Sequence, residues 1–399
     1  MFSKIPPYDG DPILSLQETY ARDSRADRVN LSIGFYYDED GRLPVLRSVL
    51  EAHAALGTTH LGRGYLPMSG DPDYCRVVRP LVFGADCEAV VDGRVATIQT
   101  LGGSGALKVG ADFLFTAWPR SRVCISDPTW DNHRAIFEGA GFEVEAYPYF
   151  DSTTGSVDFA AMIAFIGTLP AQSIVVLHPC CHNPTGADPT PAQWDELIAL
   201  MASRRLIAFF DMAYQGFARG IEEDRYAVRA AADAGMSFVV SQSFSKTFSL
   251  YAQRCGSLSV VCTSSEEAQR SLGHLQRMVR RNYSSPPSYG SRLIEHVLSD
   301  DELRAAWFDE VAGMRARMTR MRGTLHTALV ATAQDGDWGF LLQQNGMFSY
   351  APALGSHALA LRNDFGVYIL ESGRICIAGL TGDNVAHVAR AFAEVSSAA

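Results

Sequence analysis

Lysine is nearly absent from this 399-residue chain, which has 34 lysines and arginines together but only Lys4, Lys108 and Lys246 as lysines. A solvated surface charge can be either residue, and the chain meets this need with arginine. Arginine stays protonated, however, and cannot act as a nucleophilic amine. Lys246 lies between Ser245 and Thr247 in "SFSKTFSLYAQR". It is therefore a candidate for amine chemistry, although an exposed loop lysine fits this stretch equally well.

The chain also lacks long apolar runs and C-x-x-C cysteine pairs. No run approaches the roughly 20 residues of a membrane span, and "MFSKIPPYDGDP" lacks the apolar core of a secretory signal. The net charge of −10 argues against nucleic acid or an anionic membrane as the main partner. The eight cysteines are scattered apart from the adjacent Cys180 and Cys181. We expect reduced, mostly buried thiols and a cytoplasmic protein.

Short apolar runs alternate with helical stretches from about residue 93 to residue 243. The strand-like runs are "RVATIQT", "RVCISDP", "SIVVLHPC", "LIAFFDM" and "SFVVSQS". This alternation predicts an α/β fold in which helices cover both faces of a mainly parallel sheet. Ligands of such sheets bind at the carboxyl ends of the strands, so the polar residues there are the candidates.

The pattern changes beyond residue 301. A long arginine-rich helix, "DELRAAWFDEVAGMRARMTRMRGTLHTAL", precedes the strand-like pieces "MFSYAP" and "RICIAGL" and a final helix near "NVAHVARAFAEV". This part predicts a second, smaller α+β unit. The proline-rich "PPYDGDPILSL" near the N-terminus predicts an extended arm that packs on another subunit.

The stretch "TIQTLGGSGALK" combines a strand, a glycine-rich turn and the start of a helix. Backbone amides near Gly102, Gly103 and Gly105, together with the Ser104 hydroxyl, can hold a phosphate at the helix N-terminus. The pattern is neither a Walker motif nor G-x-G-x-x-G, which favours a small phosphate ester. A glycine turn that only changes chain direction is an equally good interpretation of this segment alone.

Polar residues follow three further apolar strands. Asp211 ends "LIAFFDM" with Tyr214 close behind, and a carboxylate there needs a cationic or proton-donating partner unless it caps a helix. Asn183 follows "HPCCH" and can donate to an anionic oxygen. His178 and His182 beside Cys180 and Cys181 suggest zinc, but Pro179 and the adjacent thiols fit a tetrahedral site poorly. Trp130 at the next strand end is either core or a platform for an aromatic ring.

Pyridoxal 5′-phosphate accounts for these candidates together. Lys246 would form the Schiff base, with its pKa lowered by burial and by Arg254, which also reaches the phosphate. Asp211 would keep the pyridine nitrogen protonated and so make the ring an electron sink. The other expected contacts are Ser243, Ser104 and Gly103 to the phosphate, Tyr214 and Asn183 to the ring oxygen, and Trp130 on the ring face. No metal is expected.

Six motifs, in order along nearly the whole chain, resemble the class I aminotransferases of fold type I. They are "GGSGALK", "CCHNPTGADPT", "DMAYQGF", "SFSKTFSLYAQRCG", "RRNYSSPP" and "SGRICIAGL". The resemblance is to the aspartate and aromatic amino acid group. Three features are more similar to the bacterial aromatic (tyrosine) branch than to the aspartate branch. They are the stretch "SIGFYY", which contains Gly34, the residue Ser104, and the residue Ser285.

The resemblance implies a homodimer with shared active sites and a seven-stranded-type sheet in the large domain. Arg374 would bind the substrate α-carboxylate, while the neighbouring subunit would supply Arg280 for a side-chain carboxylate and Tyr65 for the cofactor phosphate. Gly34, Trp130 and Asn183 would also border the substrate, and Gly105 the cofactor. We expect an arm and part of a small domain in residues 1–42, the large domain in 43–313, and the rest of the small domain in 314–399.

The expected reaction is ping-pong transamination of tyrosine, phenylalanine and aspartate with 2-oxoglutarate, in which Lys246 carries the α-proton and Asp211 and Tyr214 assist. Three alternatives stay open: aspartate transamination as the main activity, a β-lyase or decarboxylase with the same cofactor, and a cofactor-binding regulatory module.

Overall fold

The computed structural model describes residues 2–8, 10–57, 64–332 and 337–397. The strands are β1 (Val29–Asn30), β2 (Val95–Leu101), β3 (Arg122–Asp127), β4 (Glu143–Pro148), β5 (Phe150–Asp151), β6 (Ser156–Val157), β7 (Ile174–Leu177), β8 (Ile207–Met212), β9 (Phe238–Ser243), β10 (Cys255–Val261), β11 (Phe348–Tyr350), β12 (Val367–Tyr368) and β13 (Arg374–Cys376). The helices are α1 (Pro12–Arg22), α2 (Arg47–Gly57), α3 (Pro72–Phe83), α4 (Glu88–Val91), α5 (Gly102–Ala117), α6 (Asn132–Glu138), α7 (Phe159–Ile166), α8 (Pro191–Arg204), α9 (Tyr226–Asp233), α10 (Ser265–Asn282), α11 (Tyr289–Ser299), α12 (Asp301–Thr332), α13 (Phe340–Gln343), α14 (Pro352–Gly355), α15 (Ala358–Phe365) and α16 (Val385–Ser397).

The central sheet has seven strands in the order β2-β10-β9-β8-β7-β3-β4. Neighbours from β9 to β4 are parallel, whereas β10 is antiparallel to both β2 and β9. The prediction of a mainly parallel seven-stranded sheet is thus confirmed. Antiparallel neighbours need no helical crossover, so the short segment 244–254 suffices to join β9 to β10. Lys246 lies in this segment.

Both faces of the sheet are covered, which explains the nearly continuous apolar runs of its strands. In β8, Ala208 and Phe210 pack in one cluster with α3, α4, α7, α8 and α9. Phe209 points to the opposite cluster, where α5, α6 and α10 cover the sheet. Because alternate side chains of β8 pack against different helices, the strand is held on both faces, and Asp211 near its end has a fixed position at the sheet edge.

A separate core lies in the remainder of the chain. It joins Val29 and Leu31 to Leu325, Leu361 and Phe392 among others. The predicted elements are present here: α12 runs from Asp301 to Thr332, β11 pairs antiparallel with β13, and α16 ends the described chain. No described helix is both long enough and apolar enough to cross a membrane.

The prediction of an extended N-terminal arm is wrong for its second half. Residues 12–22 form α1, because the Asp11 carboxylate accepts hydrogen bonds from the backbone amides of Ile13 and Leu14 and so caps the helix. A proline is compatible with the first helical position, so the proline-rich composition did not exclude this start. Met1 and Asp9 of the predicted arm lie outside the described residues.

Candidate active site

A cavity of about 250 Å³ opens at the carboxyl ends of β7, β8 and β9, beside the start of α5. Eleven of the predicted site residues line it: Gly34, Gly103, Ser104, Trp130, Asn183, Asp211, Tyr214, Ser243, Lys246, Arg254 and Arg374. Sequence reasoning missed further lining residues, namely Ile13, Phe35, Leu107, Ala213, Ser245, Tyr251 and Phe348. His178, considered above only as a metal ligand, lines it as well.

The Lys246 amine lies 5.1 Å from the centroid of the Tyr214 ring. Burial lowers the pKa of Lys246 to about 8; the Asp211 carboxylate opposes this shift, and the cations Arg254 and Arg374 add to it. The amine therefore reaches its neutral, nucleophilic form much nearer to neutral pH than an ordinary lysine does. Burial also raises the pKa of the Tyr214 hydroxyl, which keeps that group protonated as a hydrogen-bond donor.

Asp211, at the end of β8, is 5% exposed and is anchored through both oxygens. Oδ1 accepts a 2.7 Å hydrogen bond from the Ser241 hydroxyl, and Oδ2 lies 3.1 Å from Nε2 of His133. Burial by itself raises the pKa of Asp211, but the contact with His133 and the other neighbouring groups outweigh it, so the net pKa is below its usual range.

His133 contacts Asp211 but was not among the residues predicted from the sequence. An ionised carboxylate only accepts hydrogen bonds, so Nε2 of His133 carries the proton in its contact with Asp211. Nδ1 of the same ring lies 2.8 Å from the Thr129 hydroxyl, which fixes the ring from its other side. His133 lies on α6, close behind Trp130, and the only sequence signal was its position just after a strand end.

Close packing at the start of α5 leaves room for an anion but not for larger residues. Gly102 has φ +66°, and a Cβ there would come 2.7 Å from the Arg254 guanidinium. A Cβ on Gly103 would lie 3.2 Å from Ser243 Cβ. Arg254 Nη1 donates to the Ser245 hydroxyl at 3.1 Å. Backbone amides at a helix start, three serines and a guanidinium together form a phosphate-binding arrangement.

Gly105, predicted to border the cofactor, does not line the cavity. It lies in the first turn of α5, where a Cβ would come 2.9 Å from Leu101 Cβ. Its lack of a side chain therefore serves helix packing against the preceding strand. Gly103, Ser104 and Leu107 of this motif line the cavity.

Arg374 is 3% exposed, yet it has no carboxylate within ion-pair distance among the described residues. Nη1 donates to Asn183 Oδ1 at 3.2 Å and Nη2 to the Ser32 carbonyl at 2.6 Å, while Nε has no partner in the described chain. The guanidinium also lies 4.5 Å from the centroid of the Phe348 ring. A buried cation without a counter-charge is costly, which suits a group that awaits an anionic ligand.

The remaining wall of the cavity is apolar and aromatic. Phe35 and Tyr251 meet edge to face with centroids 4.9 Å apart. A Cβ on Gly34 would come 3.0 Å from the Phe348 ring, so a larger residue there would displace this wall. Ile13 of α1 completes the wall. Such a surface favours an apolar or aromatic ligand side chain.

Besides Gly105, two predicted contacts, Tyr65 and Arg280, do not line the cavity. The Tyr65 side chain is 99% exposed. Arg280, in the last turn of α10, is exposed and donates from Nη1 to the Ser284 hydroxyl at 2.6 Å. Both were expected to act on the site of a neighbouring subunit, so their exposure in a single chain is compatible with that expectation but does not test it.

Two groups of possible metal ligands exist among the described residues: His133, His178 and Asp211, and Cys180, Cys181 and Asp224. In both groups the carboxylate is already engaged. Asp211 contacts His133 and Ser241, and the two oxygens of Asp224 accept hydrogen bonds from four backbone amides. Neither arrangement has the free carboxylate of a preformed cation site.

The fold and the family comparison together define the class of protein. The family model described as aminotransferase class I and II matches residues 26–392, so the chain belongs to this family. It is 54% identical to the tyrosine aminotransferase of Klebsiella pneumoniae over 99% of this chain and 100% of that protein. Its identity to the aspartate aminotransferase of Pseudomonas aeruginosa is lower, 44% over 99% of each chain.

A solved structure has the same fold along its whole length. It is the aromatic-amino-acid aminotransferase of Burkholderia pseudomallei covalently bound to pyridoxal phosphate, with a TM-score of 0.97 and 46% identity over 99% of both chains. The fold prediction and the family resemblance are thereby confirmed.

Proposed function

We propose that this aminotransferase binds pyridoxal 5′-phosphate and exchanges the amino group between aromatic L-amino acids and 2-oxoglutarate in a ping-pong reaction. One observation carries the proposal: a single cavity joins an easily deprotonated lysine, an anchored carboxylate and a buried arginine that has no acid partner among the described residues. These three groups match an aldehyde, a pyridine nitrogen and a substrate carboxylate.

The residues of the cavity fit this cofactor from end to end. Ser104, Ser243, Arg254 and the Gly103 amide would hold its phosphate, and Asp211 its ring nitrogen. Trp130 would stack on the ring, while Tyr214 and Asn183 would donate to the ring oxygen. When bound, pyridoxal phosphate supplies an aldehyde for amine attachment and a ring that accepts electron density from the substrate α-carbon.

The chain's own groups then perform the binding and the proton transfer. Lys246 would attach to the cofactor at rest, give way to the substrate amine, and move the α-proton as its free amine. Arg374, oriented by Asn183 and the Ser32 carbonyl, would bind the α-carboxylate with two parallel hydrogen bonds. The apolar wall would hold the side chain of an aromatic substrate.

We further propose a homodimer in which each active site receives Tyr65 and Arg280 from the partner subunit. Its support is the exposure of large apolar side chains, namely Phe2, Ile5 and Tyr8 near the N-terminus and Tyr65. A single chain would leave these side chains in water, whereas a second copy could bury them. We also propose the domain division 1–42 with 314–399, and 43–313, supported by the separate core that joins Val29 and Leu31 to the end of α12 and the chain that follows it. We propose a cytoplasmic location as well, supported by the eight cysteines, which are all buried and form no disulfide.

A second candidate is aspartate transamination as the main activity. Arg280 favours it, because an exposed guanidinium can pair with a side-chain carboxylate. A panel of donors that includes tyrosine, phenylalanine, tryptophan, leucine and aspartate, each with 2-oxoglutarate, separates the candidates by kcat/KM. We expect the aromatic donors to lead; an aspartate value far above them all would favour the second candidate. No glutamate formation with any donor would refute both.

A further inference from the structure

We propose that Ser241 is a positioning residue that holds the Asp211 carboxylate in the orientation needed to meet a pyridine nitrogen. Ser241 is fully buried in β9, and Asp211 is its direct neighbour on β8 in the register of the sheet. The 2.7 Å bond from the Ser241 hydroxyl to Oδ1 is the shorter of the two side-chain contacts of Asp211. The inference rests on the proposed use of pyridoxal phosphate.

His133 and Ser241 each hold a different oxygen of the Asp211 carboxylate. A carboxylate held through one oxygen can still rotate about its Cβ–Cγ bond, whereas one held through both oxygens keeps its plane. His133 approaches Oδ2 from α6, and Ser241 approaches Oδ1 from the adjacent strand. Orientation matters here, because a hydrogen bond weakens steeply once its geometry departs from linearity.

The same sheet contains a second buried serine with which Ser241 can be compared. Ser241 is the first polar residue of β9 after the apolar residues 238–240, and it is paired with Asp211. Ser257 on β10 is equally buried, but its hydroxyl has no hydrogen-bond partner in the described chain. The two serines therefore share burial and sheet but differ in contact with Asp211, and Ser257 provides a matched control.

The test measures cofactor binding to the apoprotein and requires no turnover. Dissociation constants are determined by fluorescence titration for pyridoxal phosphate and for its 1-deaza analogue, in which a carbon replaces the ring nitrogen. In Ser241→Ala we expect pyridoxal phosphate to bind about tenfold more weakly, the size of one hydrogen bond to a charged group. The deaza analogue, which offers Asp211 nothing to bond, should change less than about twofold on the same reasoning. Ser257→Ala should leave both constants unchanged.

Three results would overturn the assignment: equal weakening of both cofactors, no change in either, or the same effect in Ser257→Ala. The first and third would mean that these hydroxyls support the sheet and not Asp211, and the second that Ser241 has no effect on binding. Failure of the unaltered apoprotein to bind pyridoxal phosphate is a different outcome, because it would refute the proposed function itself.

Discussion

Replacement of Arg374 by lysine tests the substrate-binding proposal most directly. Arg374 is oriented by two fixed acceptors, Asn183 Oδ1 and the Ser32 carbonyl, and its Nε has no hydrogen-bond partner in the described part of the chain. A lysine ammonium keeps the charge but cannot present two parallel donors to a carboxylate while it satisfies those acceptors. The loss of one charge-assisted hydrogen bond costs about 1.5–3 kcal/mol, which is roughly a 10- to 150-fold fall in kcat/KM.

The assay follows glutamate formation from tyrosine and 2-oxoglutarate under steady-state conditions. Both substrates carry an α-carboxylate, so both half-reactions should lose rate in Arg374→Lys. Tyramine, which has the ring and the amine of tyrosine but no carboxylate, is the matched control for the first half-reaction. We expect its slow reaction with the loaded enzyme to be unchanged. A kcat/KM for tyrosine within threefold of the unaltered enzyme, or an equal loss with tyramine, would show that Arg374 does not bind this carboxylate.

Three further outcomes follow from the cavity. Lys246→Ala should abolish turnover. The control Lys108→Ala, which alters a lysine paired with Asp112, should not. A substantial residual rate in Lys246→Ala would show that Lys246 is not the proton carrier. Arg280→Leu should lose aspartate activity far more than phenylalanine activity, with Arg281→Leu as the neighbouring control; equal losses on both substrates would contradict the assignment. Because the pKa of Lys246 is lowered to about 8, its reaction with an amine-directed reagent in the apoprotein should rise with pH with a midpoint near pH 8. Peptide mapping isolates this lysine, and a midpoint near pH 10 would show that the amine is not perturbed.

The large sheet could be predicted in outline because its strands are buried on both faces and are therefore apolar along their length. Two strands escaped this reasoning. In β4, "EVEAYP", four of the six side chains are exposed, so its edge position hides the apolar signal. β10 begins directly after Arg254, within a stretch noticed for its chemistry, and its antiparallel direction depends on the length of segment 244–254.

The polar half of the cavity was predictable for a related reason. Asp211, Asn183 and Lys246 each follow an apolar strand, and the carboxyl ends of neighbouring parallel strands meet at one edge of the sheet. His133 and Ser241 were not found, because their role is a contact with Asp211 and not a feature of their own segments. Ser241 shows this most simply: its importance depends on the register between β8 and β9, which no single segment contains.

The apolar half of the cavity could not be assembled from local patterns at all. Ile13, Phe35, Leu107, Tyr251 and Phe348 come from five distant parts of the chain, and each one alone resembles an ordinary core residue. Their grouping needs α1 to form and the part of the chain beyond α12 to fold against the sheet. The two halves also have different consequences for function. Under the proposed function, the polar half would determine which bonds react, whereas the apolar half would rank substrate side chains, for which one group in an apolar pocket is worth only about 1–3 kcal/mol. A sequence can therefore predict the transamination reaction, whereas the order of substrate preference depends on the apolar surface that only the folded chain assembles.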